Sequence, residues 1–367
     1  MPSDVFFADA RESYGKNLFN KTAKLLKKLN LRDMVNAGDT VAIKVHWGEK
    51  GNTGYISPQV ARLVVDAVRD LGGKPFITDT NTLYRGTRRI APDNIMTAIE
   101  NGFAPSVVHA PVIVADGLYG HDFVEVPVKG KHFKSVKIAG GIHYAKAMIV
   151  ISHAKGHLAT GMGGALKNIS MGCASPAGKQ NMHSDVKPGV DAEKCIACGS
   201  CIKVCPAAAI SRRKDKKAQI DKTRCIGCAE CVVVCPGAIE VEWESEASLL
   251  QEKMAEYARG ALAGKENKCA FLNFATNITP DCDCVDWTDA PFVADAGVLA
   301  SRDPVAVDQA SADLINQSPW TPYAHKLKNP HAADKFVALH NVDWQPHVAA
   351  AEAMGCGSRR YNLVKIR

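Results

Sequence analysis

No stretch of this 367-residue chain holds the roughly 18–20 consecutive apolar residues that a membrane-spanning helix needs. Its opening segment, MPSDVFFADARESYGKN, lacks a basic segment followed by an apolar one, so we expect no secretory signal and a cytoplasmic protein. Charge of one sign is scarce as well: 45 Lys and Arg against 38 Asp and Glu leave a net +7. The densest basic run, RRKDKK at 212–217, reads as a solvated loop, and nothing around it resembles a nucleic-acid module. Hydrophobic residues at 46% and charged residues at 23% are the proportions of an ordinary globular protein with a core. The length suits two domains, or one large domain carrying an insertion.

Cysteine is what the chain has in quantity. Thirteen cysteines without an export signal argue against a disulfide framework and for metal ligation in a reducing compartment. Residues 195–205 read CIACGSCIKVC and are followed by Pro206; residues 225–235 read CIGCAECVVVC and are followed by Pro236. This is C-x2-C-x2-C-x3-C-P twice, the bacterial ferredoxin signature for two [4Fe–4S] clusters. Three thiolates two residues apart wrap three corners of a cubane, and the fourth reaches the other cluster. The expected ligand sets are Cys195, Cys198, Cys201 and Cys235 for one cluster, and Cys225, Cys228, Cys231 and Cys205 for the other. Four-cysteine zinc sites also use C-x2-C pairs, but zinc explains neither the third C-x2 step nor the duplication. The clusters could relay electrons or act as staples for about fifty residues with little core.

On both sides of this module the pattern alternates strand and helix, which predicts an open α/β domain with a mostly parallel sheet. Strand candidates are 40–47, 74–80, 107–116, 123–128, 136–140, 145–153, 269–276 and 292–301. Helix candidates are 57–73, with Ser57 as N-cap and Pro58 in the first turn, 244–264, and 303–317 with Asp303 as cap. Because the pattern resumes after residue 240, the predicted organisation is a host of residues 1–190 and 241–367 with an inserted α+β ferredoxin domain at 191–240. The last fifty residues offer helix-like pieces and no readable chemistry.

Open α/β sheets bind ligands beyond the carboxyl ends of their strands, and polar residues gather there. His46 and Glu49 follow the strand 40–47; Asp79, Asn81, Arg85 and Arg88 follow 74–80; His153, Lys155 and His157 follow 145–153. We take His46, Glu49, Asp79, His153, His157, Lys167, Cys282 and Cys284 as candidate catalytic residues. A glycine run then opens a helix, and Gly161, Gly163, Gly164, Lys167 and Asn168 form a candidate anion site on the helix N-terminus. The loop lacks the Lys-Ser/Thr of a phosphate loop, and a tight turn with close packing is the other reading. The stretch DCDC at 281–284 poses the remaining question. In an extended segment Cys282 and Cys284 would share one face while Asp281 and Asp283 point away, and a disulfide between the two cysteines would be disfavoured, their Cα atoms being at or beyond the usual limit. They could hold a metal with His153, His157 or Cys173, offer one thiolate to a substrate, or serve as scaffold.

The ordered set HWGE.GN, TDTNTLY.G.R, KGH...G.GGALKN..MGC, the twin cysteine motif and N.TPDCDC resembles the family of iron–sulphur-centre proteins built on domain of unknown function 362, over residues 3–317. The resemblance implies an inserted two-cluster ferredoxin domain and a redox setting in anaerobic metabolism; it implies no substrate. The expectation is therefore an iron–sulphur oxidoreductase that passes low-potential electrons to a small anionic substrate or cofactor at the strand ends, fed by a redox partner protein. The alternatives are an electron carrier that docks a partner reductase, and a metal- or cluster-handling protein using Cys282 and Cys284.

Overall fold

The computed structural model describes residues 2–84, 86–183, 187–205, 207–225, 230–240, 247–324, 327, 329 and 331–366. Arg85, Pro206 and Cys228 lie outside the described residues. An eight-stranded sheet forms the centre. We number its strands in chain order: β1 Ser3–Asp9, β2 Thr40–Val45, β3 Lys74–Asp79, β4 Val112–Val114, β5 Ala147–His153, β6 Cys269–Ala275, β7 Gly297–Ser301 and β8 Tyr361–Lys365. The order across the sheet is β8-β1-β7-β6-β5-β2-β3-β4. Only β7 pairs antiparallel with its neighbours; every other pairing is parallel.

The central strands are near-continuous apolar runs because both faces of the sheet are covered. Ala42, Met148, Val150 and Phe271 face a core shared with the helices Ala247–Leu262, Pro304–Gln317 and Gln345–Ala353. Ile43, Ile149, Leu272 and Phe274 face a second core with the helices Leu18–Lys28, Pro58–Arg69 and Ala91–Glu100. Asp303 caps its helix by accepting from the amides of Val305 (2.8 Å) and Ala306 (2.9 Å). Ser57 stands at the expected N-cap, but its hydroxyl bonds Gln59 and makes no cap.

Several expected strands change. The run 107–116 is broken: Pro105 starts a one-turn helix, Pro105–Val108, and His109 leaves it with a positive φ, so only Val112–Val114 joins the sheet. Residues 123–127 and 135–139 form a hairpin with each other outside the sheet. The run 292–301 contributes only its last five residues. Strands β1 and β8, absent from the sequence reading, pair in parallel at one edge, so the tail completes the host sheet.

Strands β5 and β6 are neighbours in the sheet, yet the cysteine segment lies between them in the chain. That segment forms two small ribbons, Gly189–Val190 with Ile239–Glu240 and Ile210–Arg212 with Ala218–Ile220, and two short helices, Ser200–Lys203 and Glu230–Val234. Its own core gathers Cys201, Ile210, Cys231, Val232, Cys235 and Ile239 around one host residue, Leu83. Among the described residues no helix is long and apolar enough to cross a membrane.

Candidate functional site

Strand β2 is followed by a chain path toward β3, and its neighbour β5 leads toward β6 on the other side. The crevice between β2 and β5 is therefore the topological switch point, where open sheets bind ligands. Strand-end residues read from the sequence meet there.

A buried ion-pair chain forms the floor. Lys44 pairs with Asp79 at 3.0 Å and donates to Asn168 Oδ1 at 2.5 Å. Arg88 pairs with Asp79 at 3.2 Å and with Glu49 at 3.3 Å, and Glu49 also accepts from the Thr87 amide at 2.7 Å. Burial works to raise both carboxyls, but Lys44 beside Asp79 and Arg88 beside Glu49 hold them below the usual range. Glu49 and Asp79 are thus fixed as carboxylates inside ion pairs, which leaves them little capacity as acid or base. Asn168 ties the same chain to β5 through the Ile151 carbonyl and Ser152 hydroxyl, both at 3.0 Å.

The histidines divide by what their nitrogens already hold. His46 Nδ1 accepts the Gly48 amide at 3.1 Å; burial, helped by Arg88, pushes its pKa down to about 4, so the ring is neutral. His153 donates Nε2–H to the Thr276 carbonyl at 2.7 Å and meets Asp283 through Nδ1 at 2.9 Å, which leaves no nitrogen for a metal. His157 accepts the amides of Ala159 and Thr160 on Nδ1, at 3.1 and 3.2 Å, and its remaining nitrogen carries the proton.

The DCDC segment is a turn, not an extended run: Val285 N–H donates to the Cys282 carbonyl at 3.3 Å. Asp283 does not point to solvent. It is 4% exposed, pairs with the Lys155 ammonium at 2.6 Å and meets His153 Nδ1 at 2.9 Å, because a carboxylate this deep needs a cationic partner. With Asp283 as anchor, the turn aims both thiols back into the cleft. Cys282 Sγ receives the Cys284 amide at 3.3 Å and the Lys167 ammonium at 3.8 Å. The thiol of Cys284, then Lys167 and His157, hold Cys282 well below the ordinary thiol range against the cost of burial, and Cys284 is pushed up by sharing its proton with Cys282.

The ligand atoms of His157, Cys282 and Cys284 all lie within 4.8 Å of one another, close enough to share a soft metal ion. A metal on His157 would have to displace the Nε2 proton while Nδ1 stays occupied by two amides, so the ring is better suited to donate to Cys282. Cys173 does not join them; it is buried, donates to the Asn168 carbonyl at 3.7 Å, and burial pushes it up to about 11.

The glycine loop takes an anion from within the chain. Asp308, on the helix Pro304–Gln317, accepts the amides of Ala165 (2.7 Å) and Leu166 (2.9 Å) at the start of the helix Ala165–Ser170. A Cβ on Gly164 would sit 2.4 Å from Asp308 Oδ1, and one on Gly161, which has φ +71°, would sit 2.6 Å from the Val342 carbonyl. Gly161 pairs with His157 and Gly163 with Lys155 in a short ribbon. The glycines therefore serve close packing, and the expected external anion is corrected to Asp308. Only Lys167 of that set faces the cleft. Lys44, Tyr84, Asp308, His340 and His347 were missed. Lys44 had a signal: a lysine inside a buried strand must find an opposite charge. His340 and His347 come from the tail, where spacing carries no signal. His347 Nε2 is buried without a hydrogen-bond partner among the described residues, and Lys167 and His157 add to burial in holding the ring down at about 3.

In the cysteine segment a cavity is lined by Cys195, Cys198, Cys201 and Cys235 together with Ile196, Arg212 and Ile239. Amides point at its sulphurs: Ala218 to Cys195 (3.5 Å), and Ala238 and Ile239 to Cys235 (3.1 and 3.2 Å). Ala209 does the same for Cys205 at 3.3 Å. Cys231 is buried and Cys225 half-buried. Among the described residues no cysteine is joined in a disulfide.

Solved structures similar to this chain include the lactate racemase apoprotein from Thermoanaerobacterium thermosaccharolyticum, 11% identical with a TM-score of 0.36, over 74% of this chain and 50% of that one. A protein from Thermotoga maritima solved by the Northeast Structural Genomics Consortium is 9% identical with a TM-score of 0.43, over 82% and 59%. Likeness at that level carries no functional argument. No curated protein matches significantly. The family model described as Domain of unknown function (DUF362) matches residues 41–313, which include Cys282, Cys284 and the groups around them, and the chain belongs to that family.

Proposed function

We propose that this chain is an iron–sulphur oxidoreductase in which residues 191–240 are a bacterial-type ferredoxin unit with two [4Fe–4S] clusters, and in which a small anionic substrate is reduced at the strand ends of the host. The observation that carries the reading is the cavity ringed by Cys195, Cys198, Cys201 and Cys235, the crossed set the motif predicts. Among the described residues, the only set of three or more His, Cys, Asp or Glu whose ligand atoms close to within 4.8 Å is His157, Cys282 and Cys284. Amides directed at the sulphurs are the donors that such a centre uses to set its potential.

When bound, the clusters supply one-electron transfer at low potential. Cys195, Cys198, Cys201 and Cys235 would hold one; Cys205, Cys225 and Cys231, with Cys228, would hold the other. The host contributes the loop 81–89, which touches both sites. Leu83 packs among Cys201, Cys231 and Cys235, while Tyr84 and Arg88 face the strand-end cleft. In that cleft Lys167 favours an anion, and the neutral His46 offers an N–H. Cys198 and Ile196 are exposed beside the cavity, which suits docking of a redox partner.

Anaerobic purification followed by iron and acid-labile sulphide analysis tests the reading. About eight of each per chain are expected, and Cys205→Ser should damage the cluster of Cys225, Cys228 and Cys231. Tight zinc in place of iron after anaerobic reconstitution would refute it.

A further inference from the structure

Two thiols one residue apart on a turn can do what they could not do on a strand. The turn at Cys282–Val285 shortens the span that an extended segment would hold open, and both thiols stay partly exposed to the cleft. Their sulphurs lie within 4.8 Å of each other, a gap that a disulfide of roughly 2.05 Å would close. Cys282 has three groups directed at it: the Cys284 amide, the Lys167 ammonium and the His157 ring. The other host thiols are placed differently. Cys173, Cys269 and Cys356 are buried, and burial pushes them up to about 11, 12 and 12.

We propose that Cys282 and Cys284 form a redox-active dithiol that reduces a small, negatively charged organic disulfide, with Cys282 attacking and Cys284 resolving. The proposal deepens the function above by naming the substrate class of its cleft. Cys282 thiolate attacks one sulphur of R–S–S–R; the Cys282–SR bond forms, the S–S bond breaks and one RS⁻ leaves. Cys284 then gives its proton to that thiolate and attacks Cys282 Sγ, closing the intramolecular disulfide and expelling the second RS⁻. Two electrons pass from the dithiol to the substrate, and the products are one RSH and one RS⁻ at the start. Excess small thiol runs the same exchange backward. Lys167, whose ammonium lies 3.8 Å from Cys282 Sγ, supplies the positive charge for an anionic R group.

The test uses the full chain purified anaerobically, with iron content and visible spectrum recorded on each sample. Oxidised glutathione, which is anionic, and cystamine, which is cationic, are each added; the reaction is acid-quenched, alkylated and digested. The tryptic peptide 269–302 carries Cys269, Cys282 and Cys284. The expected result is a loss of two hydrogens joining Cys282 to Cys284, reversed by reduced glutathione and reached about tenfold faster with oxidised glutathione than with cystamine. Cys284→Ser should trap glutathione on Cys282, whereas Cys282→Ser should trap none on Cys284. Both thiols alkylated after excess disulfide would overturn the proposal. So would equal trapping in the Cys282→Ser variant, or a cystamine rate matching glutathione. Zinc held by the wild type and released in Cys282→Ser would also overturn it, in favour of a metal site. A sample without iron that still closes the disulfide refutes the cluster reading alone, and an iron-loaded sample with inert thiols refutes this one alone.

Discussion

Arg89 donates Nη1 to the main-chain carbonyl of Cys235 at 2.9 Å, one residue after Arg88 has paired with Asp79 and Glu49 under the thiol cleft. One loop therefore fastens the cysteine segment to the floor of the strand-end site. Leu83, 3% exposed, adds the apolar half of the attachment. Leu83→Ala should destabilise the cysteine segment by about 2–5 kcal/mol, and Arg89→Ala by about 1.5–3 kcal/mol. Native-state hydrogen exchange at residues 230–240 reads the effect; protection unchanged in both variants would mean that the loop does not hold the segment.

Removing the shared cation of the floor should cost more. Arg88→Met leaves Glu49 and part of Asp79 as unpaired buried carboxylates, a loss of about 3–5 kcal/mol in denaturant unfolding. The same pairs set an acid limit. The folded pKa values of Asp79, Glu49 and Asp283 are all depressed, so their stabilisation is complete above the unfolded values near 4 and disappears as pH falls through the folded ones. Thermal melts below about pH 4 should drop steeply in the wild type, and with a smaller slope in Arg88→Met.

Asp308 should behave as a cap supplied from another element. Asp308→Ala strips the acceptor from the Ala165 and Leu166 amides and from Asn273 Nδ2, which donates to it at 2.7 Å. A loss of about 1–3 kcal/mol is expected. Equal stability would show that those amides find another partner.

Alkylation of Cys282 should report its neighbours in order. The thiolate persists below the ordinary thiol pKa of about 8.5, so iodoacetamide should label Cys282 at neutral pH ahead of Cys173, Cys269 and Cys356. Cys284→Ala, which removes the largest stabilising contact, should move the half-point of labelling to higher pH, and Lys167→Met should move it in the same direction by less. A half-point near 8.5 in the wild type would mean that Cys282 is an ordinary thiol.

Much of this protein was decided by local pattern. A run such as TVAIKV or AMIVISH, apolar throughout, is stable as a strand only when covered on both faces, which already implies helices on both sides and a parallel sheet. The repeated cysteine spacing of 195–205 and 225–235 predicted Cys195, Cys198, Cys201 and Cys235 as one ligand set, and these four line one cavity. The switch-point rule likewise located His46, Asp79, His157 and Cys282 near one crevice. What each group does there was settled only by partners distant in sequence. Asp308 reaches the glycine loop across 143 residues, Asp283 reaches His153 across 130, and Lys44 reaches Asn168 across 124. A glycine run reads alike whether its amides face a ligand or a carboxylate of the same chain. An aspartate between two cysteines reads alike whether it faces water or a buried lysine. Burial makes the difference, since a charge removed from water must be met by another charge, and which charge arrives depends on how the sheet and its helices close around it.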